Sequence, residues 1–250
     1  MKLQTSVNIT PLSPNTPKIS YQNPILLMGS CFSDEIGKLL AQDKFQAMIN
    51  PFGTIFNPMA CFDLLKNCLQ QTFLSEESYT QRDEFYYNYL LHSNFFATNK
   101  NDLQTQIAQK QQEVCSFFHK SQPKFLILTL GTAYIYVLKE QNLLVANCHK
   151  QPAQLFEKRL LTVQEIIEKF ANLHSILPPD THIIITVSPV RHSKDTMPLN
   201  AVSKAILRLV CHELTQSFDN VSYFPSYEIM IDELRDYRFY NPDMLHPTPQ

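Results

Sequence analysis

The chain has 250 residues, 44% hydrophobic and 18% charged, enough for one large α/β domain spanning 1–250 with no need of a second. A net charge of −2 gives no basic footprint for nucleic acid or for an anionic membrane surface. The first twenty residues lack the apolar core of a signal peptide, and the most apolar stretch, 124–138, is too short to span a bilayer, so a cytoplasmic protein is expected.

In chain order, the proline-rich opening (Pro11, Pro14, Pro17, Pro24) reads as an extended arm leading into a first strand, 24–28. Gly29-Ser30 turns that strand into a helix, for which Ser33 is the predicted N-cap. A second strand is predicted over 45–49, ending in Asn50-Pro51-Phe52-Gly53. Residues 58–69 have helical periodicity, with Met59, Phe62, Leu65 and Leu69 on one stripe. The aromatic and polar stretch 75–98 has no clear period and reads as irregular, and a polar helix follows over 101–120. Residues 125–130 are apolar on both faces, as in a central strand. The runs 134–138 and 143–146 predict an inserted hairpin. A helix over 162–173, a strand over 182–187, a helix over 199–218 and a strand over 221–224 complete the chain. Strands alternating with helices predict a three-layer α/β/α sandwich with a mostly parallel sheet of about five strands in flavodoxin-like order.

The chain has only four glycines where average usage would give roughly seventeen. Gly29, Gly53 and Gly131 each lie at or just past an apolar run, where a ligand site forms at the carboxyl ends of the strands. Ser30 follows the first of them. A hydroxyl there attacks an acyl carbon only if a base takes its proton and donors receive the oxyanion; otherwise it is a turn or capping serine. Near the other end, Asp243 precedes His246 by three residues in a segment stiffened by prolines. That spacing lets the carboxylate accept from Nδ1–H and leave Nε2 free as a base.

The run Gly29-Ser30-Cys31-Phe32-Ser33 resembles the signature of the GSCFA-domain family, placed within the SGNH/GDSL hydrolase superfamily. NPFGTIFNP (50–58), TLGTAYIY (129–136), NCHK (147–150), TVSPVRH (186–192) and YEIMIDELRDYRFY (227–240) look like the same family. The resemblance covers Pro24 to the last residue. It implies an SGNH fold with Ser30 as nucleophile, His246 as general base and then acid, and Asp243 as its orienter. It implies oxyanion donors in the backbone N–H groups of Ser30 and Gly53. The third donor is normally an asparagine at the position that Ala133 occupies here, so Asn147 or His149 is expected to replace it. Gly131, Thr132, His149, Arg191 and His192 are the expected substrate-binding residues. This fold normally follows its histidine loop with a closing helix; the sequence stops four residues after His246, so an exposed apolar strip is expected on the sheet.

Rival chemistry is weaker. Cys148 and His149 are adjacent on an extended segment and point to opposite faces. The six cysteines form no CxxC pair and, with His149 and His192, no metal-ligand spacing; neither a metal nor a cofactor is expected. The run 232–239 is explained by mutual ion pairing on a helix face, and Phe85, Tyr86, Tyr87 and Tyr89 by core packing. The expected function is therefore hydrolysis of a small acyl ester on a carbohydrate or related metabolite. Acyl transfer by the same triad, or non-catalytic glycan binding on a degenerate hydrolase fold, are the alternatives.

Overall fold

The computed structural model describes residues 17–248; Pro11 and Pro14 of the expected arm lie outside them. Five parallel strands form the central sheet: β1 (Pro24–Gly29), β2 (Gln46–Ile49), β5 (Lys124–Leu130), β9 (Thr181–Val187) and β10 (Val221–Tyr223), in the order β10-β9-β5-β1-β2. Counting only these strands in chain order, the sequence is 2-1-3-4-5, the flavodoxin-like arrangement. β1, β5 and β9 are the interior strands, and their β-branched and leucine-rich runs are buried almost throughout.

Helices cover both faces. On one face α2 (Pro58–Gln70), α3 (Lys100–Phe118), α4 (Val163–His174) and α5 (Thr196–Ser217) pack on Leu26, Met28, Leu126, Leu128, Ile183 and Ile185. On the other, α1 (Cys31–Gln42) packs on Ile25, Leu27 and Phe125 through Ile36 and Leu40. A short helical turn (Ser226–Glu228) also meets this second face at the end of β9, where Ser226 Oγ lies 2.7 Å from Thr186 Oγ1; Ile127 and Ile184 there stay half-buried and His182 hydrogen-bonds Ser222 at 3.0 Å. The architecture is a three-layer α/β/α sandwich.

Two insertions depart from the sequence reading. The stretch expected to be irregular holds an antiparallel hairpin, β3 (Tyr79–Arg82) and β4 (Phe85–Asn88), with Asp83 in the left-handed region at its turn. Its aromatic side chains obscured the period because both faces are covered: Tyr87 stacks on His149, while Tyr86 on the opposite face packs against the main core. The expected hairpin, β6 (Tyr134–Leu138) and β7 (Leu143–Val145), gains a third strand, β8 (Phe156–Leu160). β8 escaped notice because Glu157, Lys158 and Arg159 are all exposed, as suits an edge strand that must not recruit a neighbour. The two insertions are tied together where Ala146 and Asn147 N–H both donate to Tyr89 O (2.8 and 3.0 Å).

Candidate functional site

The site is built at the carboxyl edge of the sheet. β1 ends at Gly29, whose φ is +138°; a Cβ there would lie 2.2 Å from Thr129 O on the neighbouring strand. Only glycine lets the two backbones approach this closely. Ser30 follows with φ −70° and ψ 172°, and it is itself the N-cap of α1, its Oγ accepting from Phe32 N–H at 3.3 Å. The helix thus begins three residues earlier than predicted. Ser33, the expected cap, is buried inside its first turn and donates instead to Thr129 Oγ1 at 2.7 Å. Ser30 is 1% exposed, and its own N–H donates to Thr129 O at 3.1 Å.

The loop after β2 is pinned to this turn by one carboxamide. Asn50 Oδ1 accepts from Gly29 N–H (2.9 Å) while its Nδ2 donates to Asp34 (2.8 Å), which also accepts from Thr54 (2.8 Å). Gly53 N–H donates to Asn50 O at 2.7 Å, and Ile55 N–H to Gly29 O at 2.8 Å. Gly53, at φ +74°, lies against His92, whose Cβ would be 2.3 Å from any Cβ added to it. Asn50, Asp34 and His92 were missed by sequence reasoning. Asn50 carried a readable signal, since a left-handed asparagine before Pro-Phe-Gly is a turn former.

At the end of β5, Gly131 and Thr132 N–H both donate to Phe56 O at 2.9 Å, so a side chain on Gly131 would strike that carbonyl. Thr132 Oγ1 accepts from Tyr134 N–H at 3.0 Å and contacts Ser203. Ala133 is fully buried, and its N–H donates to Ser203 Oγ at 2.8 Å. Helix α5 also sends Lys204 under the strand ends, where its ammonium donates to Gly131 O (2.8 Å) and Ser188 O (2.7 Å). Among the described residues no carboxylate pairs with it, and burial pulls its pKa down to about 7. His192 Nε2 is 2.7 Å from Gly131 O, and burial, reinforced by the Lys204 charge, lowers its pKa to about 4. The ring is therefore neutral at pH 7 and donates to that carbonyl.

The histidine loop rests on the end of β9. Arg191 N–H donates to Leu245 O (3.2 Å), its guanidinium donates to Met244 O (3.3 Å), and its plane lies 3.8 Å over the Tyr240 ring. Arg191 thus holds the loop, and Asp195, the alternative partner, pairs with Lys158. Within the loop Asp243 Oδ2 is 2.6 Å from His246 Nδ1, while Oδ1 accepts from Leu245 N–H (2.8 Å) and His246 N–H (3.1 Å). The Leu245 amide first, then the imidazole, hold the Asp243 carboxyl at about 2. Among the described residues His246 Nε2 has no hydrogen-bond partner, and none joins it to Ser30 Oγ. The acidic-basic run before it is not a regular helix: it passes from a π-helical turn (Ile229–Glu233) to a 3₁₀ turn (Tyr237–Phe239).

The remaining candidates are engaged in the insertions. Asn147 donates through Nδ2 to Ser93 Oγ (3.0 Å) and accepts from His149 N–H (2.9 Å). His149 is 1% exposed, its Nε2 at 2.8 Å from Asn88 O and its ring stacked on Tyr87, so it packs the insertion core and faces no ligand. Burial pushes the Cys148 thiol up to about 11, and burial with the Asp34 charge raises that of Cys31. Both stay protonated near neutrality, which disfavours a thiolate nucleophile.

Among the described residues, no helix is long and apolar enough to cross a membrane. No curated protein and no solved structure matches the chain. The model of the GSCFA family matches residues 24–250, from the first residue of β1 through the histidine loop. The chain belongs to the GSCFA family.

Proposed function

We propose that this protein is a serine ester hydrolase of the SGNH type, releasing a small acyl group such as acetate from a carbohydrate or related metabolite. The observation that carries the reading is the Asp243–His246 pair at 2.6 Å, with Nε2 unpartnered, on a loop fastened to the end of β9. Ser30 directly follows β1 on the same edge, and β1 lies two strands from β9, roughly 10 Å between strand axes. In acylation Ser30 Oγ bonds to the ester carbonyl carbon while His246 Nε2 takes its proton. The carbon–oxygen bond to the alcohol then breaks, and His246 returns the proton to the departing oxygen. Water repeats the sequence against the acyl-enzyme and releases the carboxylic acid. Reaction requires the 240–246 loop to close on Ser30 and substrate to uncover it; catalytic hydrogen bonds commonly tighten only in the complex. Six unpaired cysteines suit a reducing compartment, and our reading places the enzyme in the cytoplasm.

Hydrolysis of a short-chain aryl acetate and labelling by a fluorophosphonate probe test this directly. Wild type should turn over and label; Ser30→Ala and His246→Ala should do neither. Because Ser30 also caps α1, Ser30→Ala should cost about 1 kcal/mol in urea unfolding. The 1% exposure of Ser30 favours a second reading, a non-catalytic binding protein on the same fold. Well-folded wild type that neither labels nor turns over any acetylated sugar would establish that reading in place of the enzyme.

A further inference from the structure

Any serine acyl transfer needs fixed N–H donors where the carbonyl oxygen becomes anionic. Around Ser30 the obvious donors are already spent. Ser30 N–H is held by Thr129 O and Gly53 N–H by Asn50 O. Ala133 N–H is held by Ser203, the Asn147 amide by Ser93, and Lys204 and His192 by strand-end carbonyls. One side chain against this turn is different. His92 packs directly on Gly53, in the loop whose Ile55 N–H binds Gly29 O beside the nucleophile. Its backbone is fastened on both sides, N–H to Phe52 O (3.2 Å) and O to Phe95 N–H (3.0 Å). Its Nδ1 accepts from Asn94 N–H at 3.3 Å, which places the proton of the neutral ring on Nε2. That Nε2–H has no protein partner among the described residues, and the residue is half-buried.

We infer that His92 Nε2–H is an oxyanion-hole donor, meeting the acyl oxygen as the tetrahedral intermediate forms on Ser30. The inference rests on the hydrolase reading above. A ring held rigidly on the Gly53 loop with its one free N–H unpaired is preorganised for that task and costs no rearrangement in the transition state.

The test compares wild type, Ser30→Ala, His92→Ala and His92→Gln in aryl acetate hydrolysis and in inhibition by phenylboronic acid, whose serine adduct is tetrahedral. His92→Ala should lower kcat on the order of a hundredfold with KM nearly unchanged, and weaken the boronate by a similar factor. His92→Gln, which keeps an N–H at comparable reach, should recover much of the loss. If His92→Ala retains kcat while Ser30→Ala is inactive, the inference falls and the hydrolase reading stands. If the loss comes with a lowered melting temperature, an unchanged boronate constant and no recovery by glutamine, the role is structural and the inference falls. Activity surviving in Ser30→Ala would overturn the hydrolase reading and the inference with it.

Discussion

Asp243 serves two structural purposes with its two oxygens. Oδ1 caps the turn through Leu245 and His246 N–H, and Oδ2 fixes the imidazole tautomer with its proton on Nδ1. Asp243→Asn keeps the shape but offers that nitrogen an ambiguous partner, and kcat should fall on the order of 10³- to 10⁴-fold with little change in KM. The carboxyl is lowered from 3.8 to about 2, so its contacts contribute fully above pH 3.8 and are lost as pH falls through about 2. An acid limb in the rate profile between pH 5 and 7 would therefore report another group. A limb that vanishes in Asp243→Asn would contradict this assignment. Ser30 likewise caps α1 through Oγ directly after β1, and capping occupies only an acceptor site of that hydroxyl, which leaves its proton for the chemical role proposed above.

Between elements, the edge of the sheet is stitched by side chains that bridge strand ends to loops. Asn50 joins β1, α1 and the Gly53 loop; Arg191 joins the end of β9 to the histidine loop. On the hydrolase reading proposed above, Arg191 is a positioning residue that acts through that loop. Its planar guanidinium both donates to Met244 O and stacks on Tyr240, a combination an ammonium cannot reproduce. Arg191→Ala should lower kcat by about tenfold to a hundredfold, because small misplacements of a base are expensive, and leave KM nearly unchanged. Arg191→Lys should not restore it. Stopped-time kinetics alongside limited proteolysis of the 240–246 segment would check both parts, since a loosened loop becomes a substrate for the protease.

For the whole molecule, the buried Lys204 has a consequence for stability. Its ammonium lies under β5 and β9 bonded to two carbonyls, with no carboxylate partner among the described residues, and its pKa falls from 10.5 to about 7. Between those values the unfolded chain holds a proton that the native state has released, so the Lys204 contribution to stability rises with pH from about 7 to 10.5. His192, lowered from 6.5 to about 4, acts in the same sense on the acid side: stability increases from about pH 4 and is complete above 6.5. Lys204→Met should flatten the upper rise in urea midpoints measured across pH 7 to 10, at the cost of leaving Ser188 O unsatisfied, about 1–3 kcal/mol at most, while Gly131 O keeps its bond from His192. A midpoint that climbs over that range as steeply as wild type would show that Lys204 is not its source.

The sequence by itself determined the sheet and the Asp243–His246 contact, and it marked Ser30 as the candidate nucleophile. Short apolar runs at 125–130 and 182–187, bounded by turn residues, read as strands buried on both sides, and a carboxylate three residues before an imidazole needs nothing beyond one turn of chain. The scarce glycines at the strand ends were legible for the same reason: a Cβ at Gly29 or Gly131 would strike a neighbouring backbone carbonyl. Only the tertiary structure decided what the polar residues between those landmarks do. The aromatic hairpin and the charged strand β8 lacked a period because their faces are set by the insertion they pack into. Whether an amide such as that of Asn147, or a ring such as that of His149, His192 or His92, is free or spent depends on partners tens of residues away. Hydrogen-bond occupancy is a property of the assembled edge, and local spacing carries no record of it.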